Sequence, residues 1–295
     1  MCKLKRNKTG GNKFNSGDNN KYFIAANVER LIHTNGYHDN LLVAINELNT
    51  QKDLDEMQRW MVAGANVFID SGIFNLTNEH MKKHNITMDE ALALAPEDID
   101  GFEQLFDKYI SIIRQYGDNS WGYIELDQGG RENKIKTRAK LEKMGLFPIP
   151  VYHPLNDGWD YFDYLAERYD RICFGNVVQA DKETRRKLVT TAYFRKQKYP
   201  NLWIHLLGLT PNSWLYSLPI NSTDSSSWLS SVKWSGQVCF AAGNAFSKLP
   251  KNYKYVLGSD NKSSVGSRKA TAMSAYGCNM MQLNWQNHVE RINKL

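Results

Sequence analysis

Short apolar runs recur along the chain, and most are followed by a stretch whose apolar residues fall three or four positions apart. The runs lack strict polar/apolar alternation, which is typical of parallel strands that are buried on both faces. They predict eight strands, over residues 22–27, 41–46, 66–72, 122–127, 147–153, 171–178, 202–209 and 217–224.

The segments between these runs have the spacing of amphipathic helices. Residues 102–116 place their apolar side chains on one stripe, and 51–64 repeat the pattern with Thr50 as a plausible N-cap. A third helix is predicted over 133–144, because Gly145 behind it is a residue type that commonly terminates helices.

A further helix is predicted over 181–196, in front of the seventh strand. Asp181 is placed to begin it, and Leu188, Val189 and Phe194 are expected to be buried. Strands that alternate with helices favour a parallel α/β fold. Eight candidate strands favour a closed (β/α)8 barrel, the TIM barrel, over an open sheet.

The two ends of the chain lie outside this alternation. Residues 1–20 are polar and have no apolar stretch behind them, so they are expected to be a mobile arm and not a secretory signal. Residues 21–295 are expected to form one barrel domain. Within it, 229–264 is interpreted as an insertion after the last strand, and 265–293 as a helix that closes the ring.

Composition narrows the class of protein. Hydrophobic residues make up 42% of the 295 residues, which suits a sizeable core, and no apolar run approaches the ~18–20 residues that span a bilayer. The net charge of +6 leans towards a polyanionic partner. No GxGxxG or Walker motif is present, which weakens nucleotide-binding alternatives.

The four cysteines are scattered, and no two of them have the close spacing of a thiolate zinc site. Their spread suits a reducing compartment, and we expect the cytoplasm, or the host cytoplasm if the chain is encoded by a phage. They are Cys2, Cys173, Cys239 and Cys278.

Candidate chemistry lies at the strand ends, because TIM barrels build their active sites at the C-terminal ends of their strands. Asp70, Asp127 and Asp224 each end an apolar run, although aspartate is disfavoured in strands. One such aspartate is usually a helix cap or a turn residue. Three on one rim, beside glycines that admit a flat ligand, indicate a shared binding site.

Five short motifs follow these strand ends in order: FIDSGIF, IELDQ, ICFGNV, IHLLGLT and NSTDSSSW. Together they resemble the tRNA-guanine transglycosylase family over about residues 64–228. The resemblance is closer to smaller bacteriophage members that modify DNA with 7-deazaguanines, because those pair a DSG strand with a late DS(S/T)SW segment. The family's C-x-C-x-x-C…H zinc module is absent and the chain is shorter, which favours DNA over tRNA.

The resemblance implies a ping-pong exchange of guanine for a free 7-deazaguanine, expected to be the 7-cyano compound. Asp224 would be the nucleophile that holds the sugar as an ester, and Asp70 the general acid and base. Asp127 would accept hydrogen bonds from the base's N1–H and its exocyclic amine. Neither a cofactor nor a metal is implied.

The resemblance also implies a base pocket. Phe74 and Leu207 match the positions that sandwich the base, and backbone groups of Gly175 and Asn176 would meet its carbonyl edge, although the family has Gly-Gly there. His153 lies near the family's glutamine; it either contacts the base or is a strand-end histidine held by local partners. The remaining predicted pocket residues are Ser71, Gly72 and Gly208.

Basic residues near the predicted rim are candidates for contacts with DNA phosphates, and each is also compatible with an ordinary solvated surface charge. They are Arg131, the KTRAK stretch with Lys136, Arg138 and Lys140, then Lys262, Arg268 and Lys269. No membrane is expected as a partner, and the sequence leaves monomer and homodimer open.

Three alternatives remain at this level. The same pocket would serve a tRNA transglycosylase without its zinc module, and it would equally serve a DNA-binding barrel without catalysis. A metal-dependent barrel hydrolase is the third, because carboxylates and imidazoles at strand ends bind divalent ions. Its ligands would come from Asp70, Asp127, His153, His205 and Asp224.

Overall fold

The computed structural model describes residues 8–15, 19–34, 36–212, 214–218, 220–229, 239–242, 245–248 and 264–294. Each of the eight apolar runs supplies one strand of a single parallel sheet. The strands are β1 (Lys21–Ala25), β2 (Asn40–Ala44), β3 (Asn66–Asp70), β4 (Gly122–Tyr123), β5 (Val151–Tyr152), β6 (Arg171–Phe174), β7 (Trp203–Leu206) and β8 (Ser222–Ser225).

The sheet curls until its two edge strands meet. Its order is β4-β3-β2-β1-β8-β7-β6-β5, and a parallel bridge between Ile124 and Ile149 joins the segments that continue β4 and precede β5. The Ile149 N–H donates to the Tyr123 carbonyl at 2.8 Å, and the Glu125 N–H donates to the Ile149 carbonyl at 3.1 Å. The predicted (β/α)8 barrel is therefore confirmed.

Helices occupy most of the connections between strands. They are α1 (Val28–Leu31), α2 (Gln51–Val62), α3 (Ile73–His84), α4 (Met88–Ala93), α5 (Phe102–Tyr116), α6 (Gly130–Lys143), α7 (Trp159–Arg168), α8 (Lys182–Lys196) and α9 (Ser264–Ile292). The connection from β3 to β4 is the elaborate one, because it carries α3, α4 and α5. This connection forms one wall of the site described below.

The predicted helix boundaries follow from local chemistry. Thr50 and Asp53 form a reciprocal capping box at the start of α2, and Asp181 accepts hydrogen bonds from the first turn of α8. Gly145 follows α6 with a φ of +80°, a left-handed conformation that glycine adopts at low cost.

The prediction that Phe194 is buried is wrong, because its side chain is 59% exposed. Phe194 lies five positions after the buried Val189 on α8. Five residues correspond to about 140° of rotation around a helix, so the two side chains leave on different faces.

The barrel interior is filled with side chains. Phe23, Phe68, Trp121, Trp203 and their neighbours form a buried cluster in contact across the sheet. A larger apolar cluster occupies the layer between the strands and the surrounding helices. Filling on both faces explains why the strand sequences are continuous apolar runs and do not alternate.

Residues 8–15 close the N-terminal end of the barrel, in contrast to the predicted mobile arm. The Phe14 ring contacts the rings of Trp121 and Trp203, with centroids 5.5 and 5.0 Å away. The buried Arg171 guanidinium donates to the carbonyls of Thr9 and Trp121 at 3.0 and 2.7 Å. One aromatic side chain and backbone carbonyls make these contacts, which is why a polar composition did not indicate them.

The C-terminal region is described in part. Helix α9 covers the range expected to close the ring, and its Gln282 accepts hydrogen bonds from the Tyr22 N–H and from Asn40 Nδ2, both at 2.8 Å. Most of the expected insertion 229–264 lies outside the described residues; two antiparallel strands, β9 (Cys239–Ala242) and β10 (Ala245–Lys248), are described within it. In the part of the chain that the structure describes, no helix is both long enough and apolar enough to cross a membrane.

The closure of the barrel by residues 8–15 predicts a cost for Phe14→Ala. Because Phe14 is half-buried between two tryptophans, we expect the free energy of unfolding to fall by about 1–3 kcal/mol. The exposed Phe194 supplies the matched control, since Phe194→Ala should stay within about 0.5 kcal/mol of the parent. Urea denaturation of the three proteins measures this, and equal stability of both variants would contradict the packing role.

Candidate active site

Asp70, Asp127 and Asp224 lie at the carboxyl end of the barrel. Asp70 is the last residue of β3, Asp127 follows β4, and Asp224 is the third residue of β8. In a parallel barrel all strand C-termini point to one end, so three separated sequence positions converge on one rim. Both Asp127 and Asp224 raise the pKa of Asp70, which places the three carboxylates within one electrostatic site.

A cavity of about 200 Å³ opens at this end of the barrel. Asp70 and Asp127 form part of its wall. Asp224 is one hydrogen bond away, because its Oδ1 accepts the backbone N–H of Gly208 at 3.0 Å and Gly208 lines the cavity. The other lining residues are Ile73, Phe74, Thr77, Leu92, Gln128, His153, Gly175, Asn176, Val178, Gln179 and Leu207.

Apolar side chains form part of the cavity wall. Phe74 is 53% exposed and lines it together with Leu207 and Val178. A Cβ at Gly175 would come within 2.7 Å of the His153 ring, so only glycine fits there. Asn176 lines the cavity with a left-handed backbone; its side-chain Nδ2 donates to Asn156 Oδ1 at 2.5 Å, and its backbone carbonyl accepts the Gln179 N–H at 3.0 Å.

Two predicted pocket residues stand behind the wall and do not line the cavity. Ser71 is fully buried. Gly72 caps α3 with a φ of +76° and donates its N–H to Asp70 Oδ2 at 3.2 Å. A Cβ there would approach Asn46 Oδ1 to 2.8 Å, so this glycine turns the chain sharply behind Asp70. Their contact with the base stays a prediction, and what the structure shows is that backbone N–H groups of this turn hold Asp70.

The pKa of Asp70 is raised to about 7. Burial of the carboxyl group is the largest cause, and the negative charges of Asp127 and Asp224 add to it. The N–H of Gly72 offsets part of this effect. Asp70 therefore exchanges its proton near neutral pH, as a general acid and base must.

Asp127 has the opposite ionisation. Burial alone would raise its pKa, but the hydrogen bond and charge of His153, with the charge of Lys134, bring the pKa below its ordinary value. The His153 Nε2 lies 2.7 Å from Asp127 Oδ2. His153 thus lines the cavity and also has the local partner that the sequence left as an alternative.

A buried network fixes the His153–Asp127 pair. Asp157 Oδ2 accepts the backbone N–H of His153 at 2.9 Å and the Lys134 ammonium at 2.6 Å. The Lys134 side chain is inaccessible to solvent, so its charge acts on the site through a low dielectric. Lys134 belongs to α6, which places this helix directly behind the Asp127 carboxylate.

The predicted phosphate contact of Arg138, on the same helix, is wrong. Arg138 is 2% exposed and donates to Glu125 Oε2 at 2.6 Å, so it is unable to reach a phosphate. Arg131 is exposed at the start of α6 and pairs with Asp160 at 2.5 Å. Arg268 and Lys269 are exposed on α9, and Lys262 lies outside the described residues.

Asp224 is held from inside the barrel. His205 Nε2 lies 3.1 Å from Asp224 Oδ1, and His205 Nδ1 lies 2.8 Å from Ser222 Oγ. Because the Trp203 indole donates to that same Oγ at 2.8 Å, the Ser222 hydroxyl is free to donate to Nδ1. His205 then carries its proton on Nε2 and donates it to Asp224.

His205 is thus a functional residue that sequence reasoning assigned only to the metal alternative. It is 1% exposed and packs against Phe23 and Phe68. The sequence shows it at an inward strand position, but its pairing with Asp224 depends on the register of β7 against β8.

Gln128 is a second residue that the sequence did not single out. Its Nε2 donates to the carbonyls of Ala91 and Leu94 at 2.8 and 3.0 Å, and its Oε1 accepts from Thr77 Oγ1 at 3.0 Å. One buried amide thereby ties the end of β4 to α3 and α4. These hydrogen bonds also hold the backbone of its neighbour Asp127, which is part of the cavity wall.

The metal-hydrolase alternative finds no support in this geometry. Among the described residues, the only group of three or more potential metal ligands within 4.8 Å of one another is His80, His84 and Asp100. The strand-end carboxylates and His153 do not converge in that way; His153 and His205 each pair with a separate aspartate.

No protein-family model and no curated protein sequence matches this chain. Solved structures similar to it include the tryptophan synthase alpha chain from Legionella pneumophila subsp. pneumophila, at 8% identity and a TM-score of 0.42 over 87% of this chain and 91% of that one. Tryptophan synthase from M. tuberculosis matches at 9% identity and 0.44, over 89% and 94%. Similarities this remote carry no argument about activity.

The raised pKa of Asp70 predicts that Asp70→Asn stabilises the protein at alkaline pH. A raised folded-state pKa means that stability is lost as pH rises from about 4 to about 7, the range between the unfolded and folded values. The side chain of asparagine does not ionise, so the variant does not lose this stability as the pH rises. We expect a gain of about 1–3 kcal/mol at pH 8, discounted from the full shift because Asp70 is partly exposed, and about none at pH 4.

Asp127→Asn is the matched control with the opposite sign. The lowered pKa of Asp127 stabilises the fold above pH 4 and is lost as pH falls, so this variant should be less stable at pH 8. Denaturant titrations at pH 4 and pH 8 measure both effects. Destabilisation of both variants at pH 8 would contradict a raised pKa of Asp70 beside a lowered pKa of Asp127.

Proposed function

We propose that this chain is a base-exchanging glycosylase that replaces guanine in DNA with a free 7-deazaguanine, expected to be the 7-cyano compound. The observation that carries the proposal is that three carboxylates beside one cavity have three different environments. One has a pKa near neutrality, one is held ionised by His153, and one is fixed by His205. The motif resemblance to tRNA-guanine transglycosylases supplies the reaction type.

The base would enter the cavity with its faces against Phe74 and Leu207. Stacking on one aromatic ring contributes roughly 1–3 kcal/mol. Within the described residues Asp127 binds His153 through Oδ2, which leaves Oδ1 to accept the N1–H or exocyclic amine of a guanine-like base. An ionised acceptor suits this edge, because both groups of the base are donors.

Asp224 would attack the anomeric carbon. Both of its hydrogen bonds, from Gly208 and His205, are accepted by Oδ1, so Oδ2 is the oxygen left for attack. The Oδ2–C1′ bond forms as the C1′–N9 bond breaks, and guanine leaves with the electron pair of that bond. Two successive displacements retain the configuration at C1′.

Asp70 would move the protons. Guanine leaves as a neutral base only if it gains a proton, and protonated Asp70 is the donor at the cavity wall. The incoming base then returns a proton to the Asp70 carboxylate as its own N9 attacks C1′ and releases Asp224. A pKa of about 7 lets one carboxyl group serve both steps near neutral pH.

DNA is proposed over tRNA because the zinc module of the tRNA enzymes is absent from the sequence. A target in a duplex has to be flipped out to reach the cavity, at a cost of a few kcal/mol. Arg131, Arg268 and Lys269 are exposed and are the proposed phosphate contacts within the described chain. This activity would operate wherever DNA and the free base meet, which we expect to be the cytoplasm of the host cell.

The test is incorporation of radiolabelled guanine into duplex DNA or tRNA. The parent should label DNA and form a denaturation-resistant protein–DNA adduct, whereas Asp224→Ala should abolish both, at least 1000-fold in rate, because no other group replaces the nucleophile. Asp118→Ala is the control: this exposed aspartate of the loop before β4 should change neither.

The outcomes separate the alternatives. Label that enters only tRNA would transfer the proposal to the tRNA substrate. DNA binding without exchange or adduct would identify a non-catalytic barrel. Exchange that persists in Asp224→Ala would overturn the assigned nucleophile.

A further inference from the structure

Two histidines and an aspartate meet where α3 ends and α5 begins. His80 and His84 are one helical turn apart on α3, and Asp100 lies just before α5. Asp100 Oδ2 is 2.8 Å from His84 Nε2 and 3.5 Å from His80 Nδ1. The mechanism proposed above uses none of these three side chains.

The spacing of these atoms suits a tetrahedral metal. Zinc bonds of about 2.0–2.1 Å to nitrogen and oxygen place neighbouring ligand atoms about 3.3–3.5 Å apart. The His80–Asp100 separation already has this value, and His84–Asp100 needs a widening of about half an ångström. His84 is exposed enough to move, whereas His80 is buried and held in place.

The His80 ring has an unprotonated nitrogen next to Asp100. The backbone N–H of Asp100 donates to His80 Nδ1 at 3.1 Å, and a metal bound to the single lone pair of this nitrogen would replace that hydrogen bond. The His84 ring stacks on His80 with centroids 4.2 Å apart, so the exposed His84 has to turn for its in-plane Nε2 lone pair to meet the same ion. A metal ligand has to be the unprotonated nitrogen, and Nδ1 of His80 is in that state here.

One cation already lies at the site. The Lys83 ammonium is 2.8 Å from Asp100 Oδ2, and its side chain is 68% exposed. A divalent ion would displace this ammonium into solvent at little cost, because exposed ion pairs contribute little. The scattered cysteines exclude a closely spaced thiolate cluster, but they do not bear on a site of imidazole and carboxylate.

We propose that His80, His84 and Asp100 form a Zn²⁺ site, with His80 Nδ1, His84 Nε2 and Asp100 Oδ2 as ligands and water in the fourth position. Two imidazoles with one carboxylate favour zinc over magnesium or calcium, which prefer sites made of oxygen alone. The position i and i+4 of the histidines brings both to one helix face.

The site would brace a wall of the active-site cavity. Helix α3 contributes Ile73, Phe74 and Thr77 to that wall, and Thr77 lies one turn before His80. The Gln128 amide ties this helix to the barrel at Thr77, and zinc would tie its far end to the start of α5. The role is structural, so the proposal is independent of base exchange.

The experiment uses the full chain purified without a polyhistidine tag and stripped of metal with a chelator. Calorimetric titration with ZnCl₂ should give one ion per chain with a Kd of about 10 µM or tighter, and zinc at 100-fold the Kd should raise the Tm by about 5 °C. Hydrogen exchange in a peptide covering 73–84 should slow on zinc addition. MgCl₂ should change neither the Tm nor the exchange.

Matched variants assign the site. His84→Ala and Asp100→Asn should each weaken zinc binding at least 10-fold and remove the Tm shift, and both positions are exposed enough for the fold to persist. His288→Ala removes an exposed histidine elsewhere and should bind zinc like the parent. Zinc binding unchanged in His84→Ala and Asp100→Asn would overturn the proposal, as would no binding by the parent at about 100 µM zinc. In either case the contacts among His80, His84 and Asp100 only join the end of α3 to the segment before α5.

Discussion

The carboxylates of Asp70, Asp127 and Asp224 repel one another at the carboxyl end of the barrel, and the surrounding structure determines which of them stays ionised. Asp127 receives the His153 hydrogen bond and the Lys134 charge, so it stays an anion. Among the described residues Asp70 accepts hydrogen bonds only from backbone N–H groups of its own turn, and its pKa is raised to about 7. Environments that push two pKa values apart create an acid/base assignment within a single site.

This division depends on polar groups that the barrel buries and pairs. Lys134, Asp157 and His153 form a chain of contacts behind Asp127, and Trp203, Ser222 and His205 form another behind Asp224. Buried polar groups without partners are costly, so each chain fixes the orientation of the carboxylate at its end. The three carboxylates lie at the ends of strands. Helix α3 forms part of the cavity wall and is joined to the barrel by the Gln128–Thr77 hydrogen bond.

The fold could be predicted because its determinants are local. Apolar runs of strand length, helical stripes such as 102–116 and caps such as Thr50 are visible in the sequence and recur in the structure. Part of the cavity lining, such as Phe74 and Leu207, followed from the strand ends together with the family resemblance, whereas Thr77 and Gln128 did not. These features need no knowledge of which side chains meet across the molecule.

The features that sequence reasoning missed depend on contacts between distant elements. Arg138 has the composition of a surface cation, but the rotation of α6 turns it onto the buried Glu125. Phe14 is one aromatic residue in a polar segment, and its burial depends on the gap between Trp121 and Trp203. The role of His205 requires the register of β7 on β8, and no local pattern specifies that pairing.

The most direct measurement of the central claim is the titration of the aspartate carboxyl carbons by NMR. Protein labelled at aspartate Cγ, with Asp70→Asn and Asp127→Asn used for assignment, would be followed from pH 3 to pH 9. Asp70 is expected to titrate near pH 7, and Asp127 below its ordinary value near 4. Titration of both residues near pH 4 would mean that the carboxylates do not share one site, and it would contradict the account.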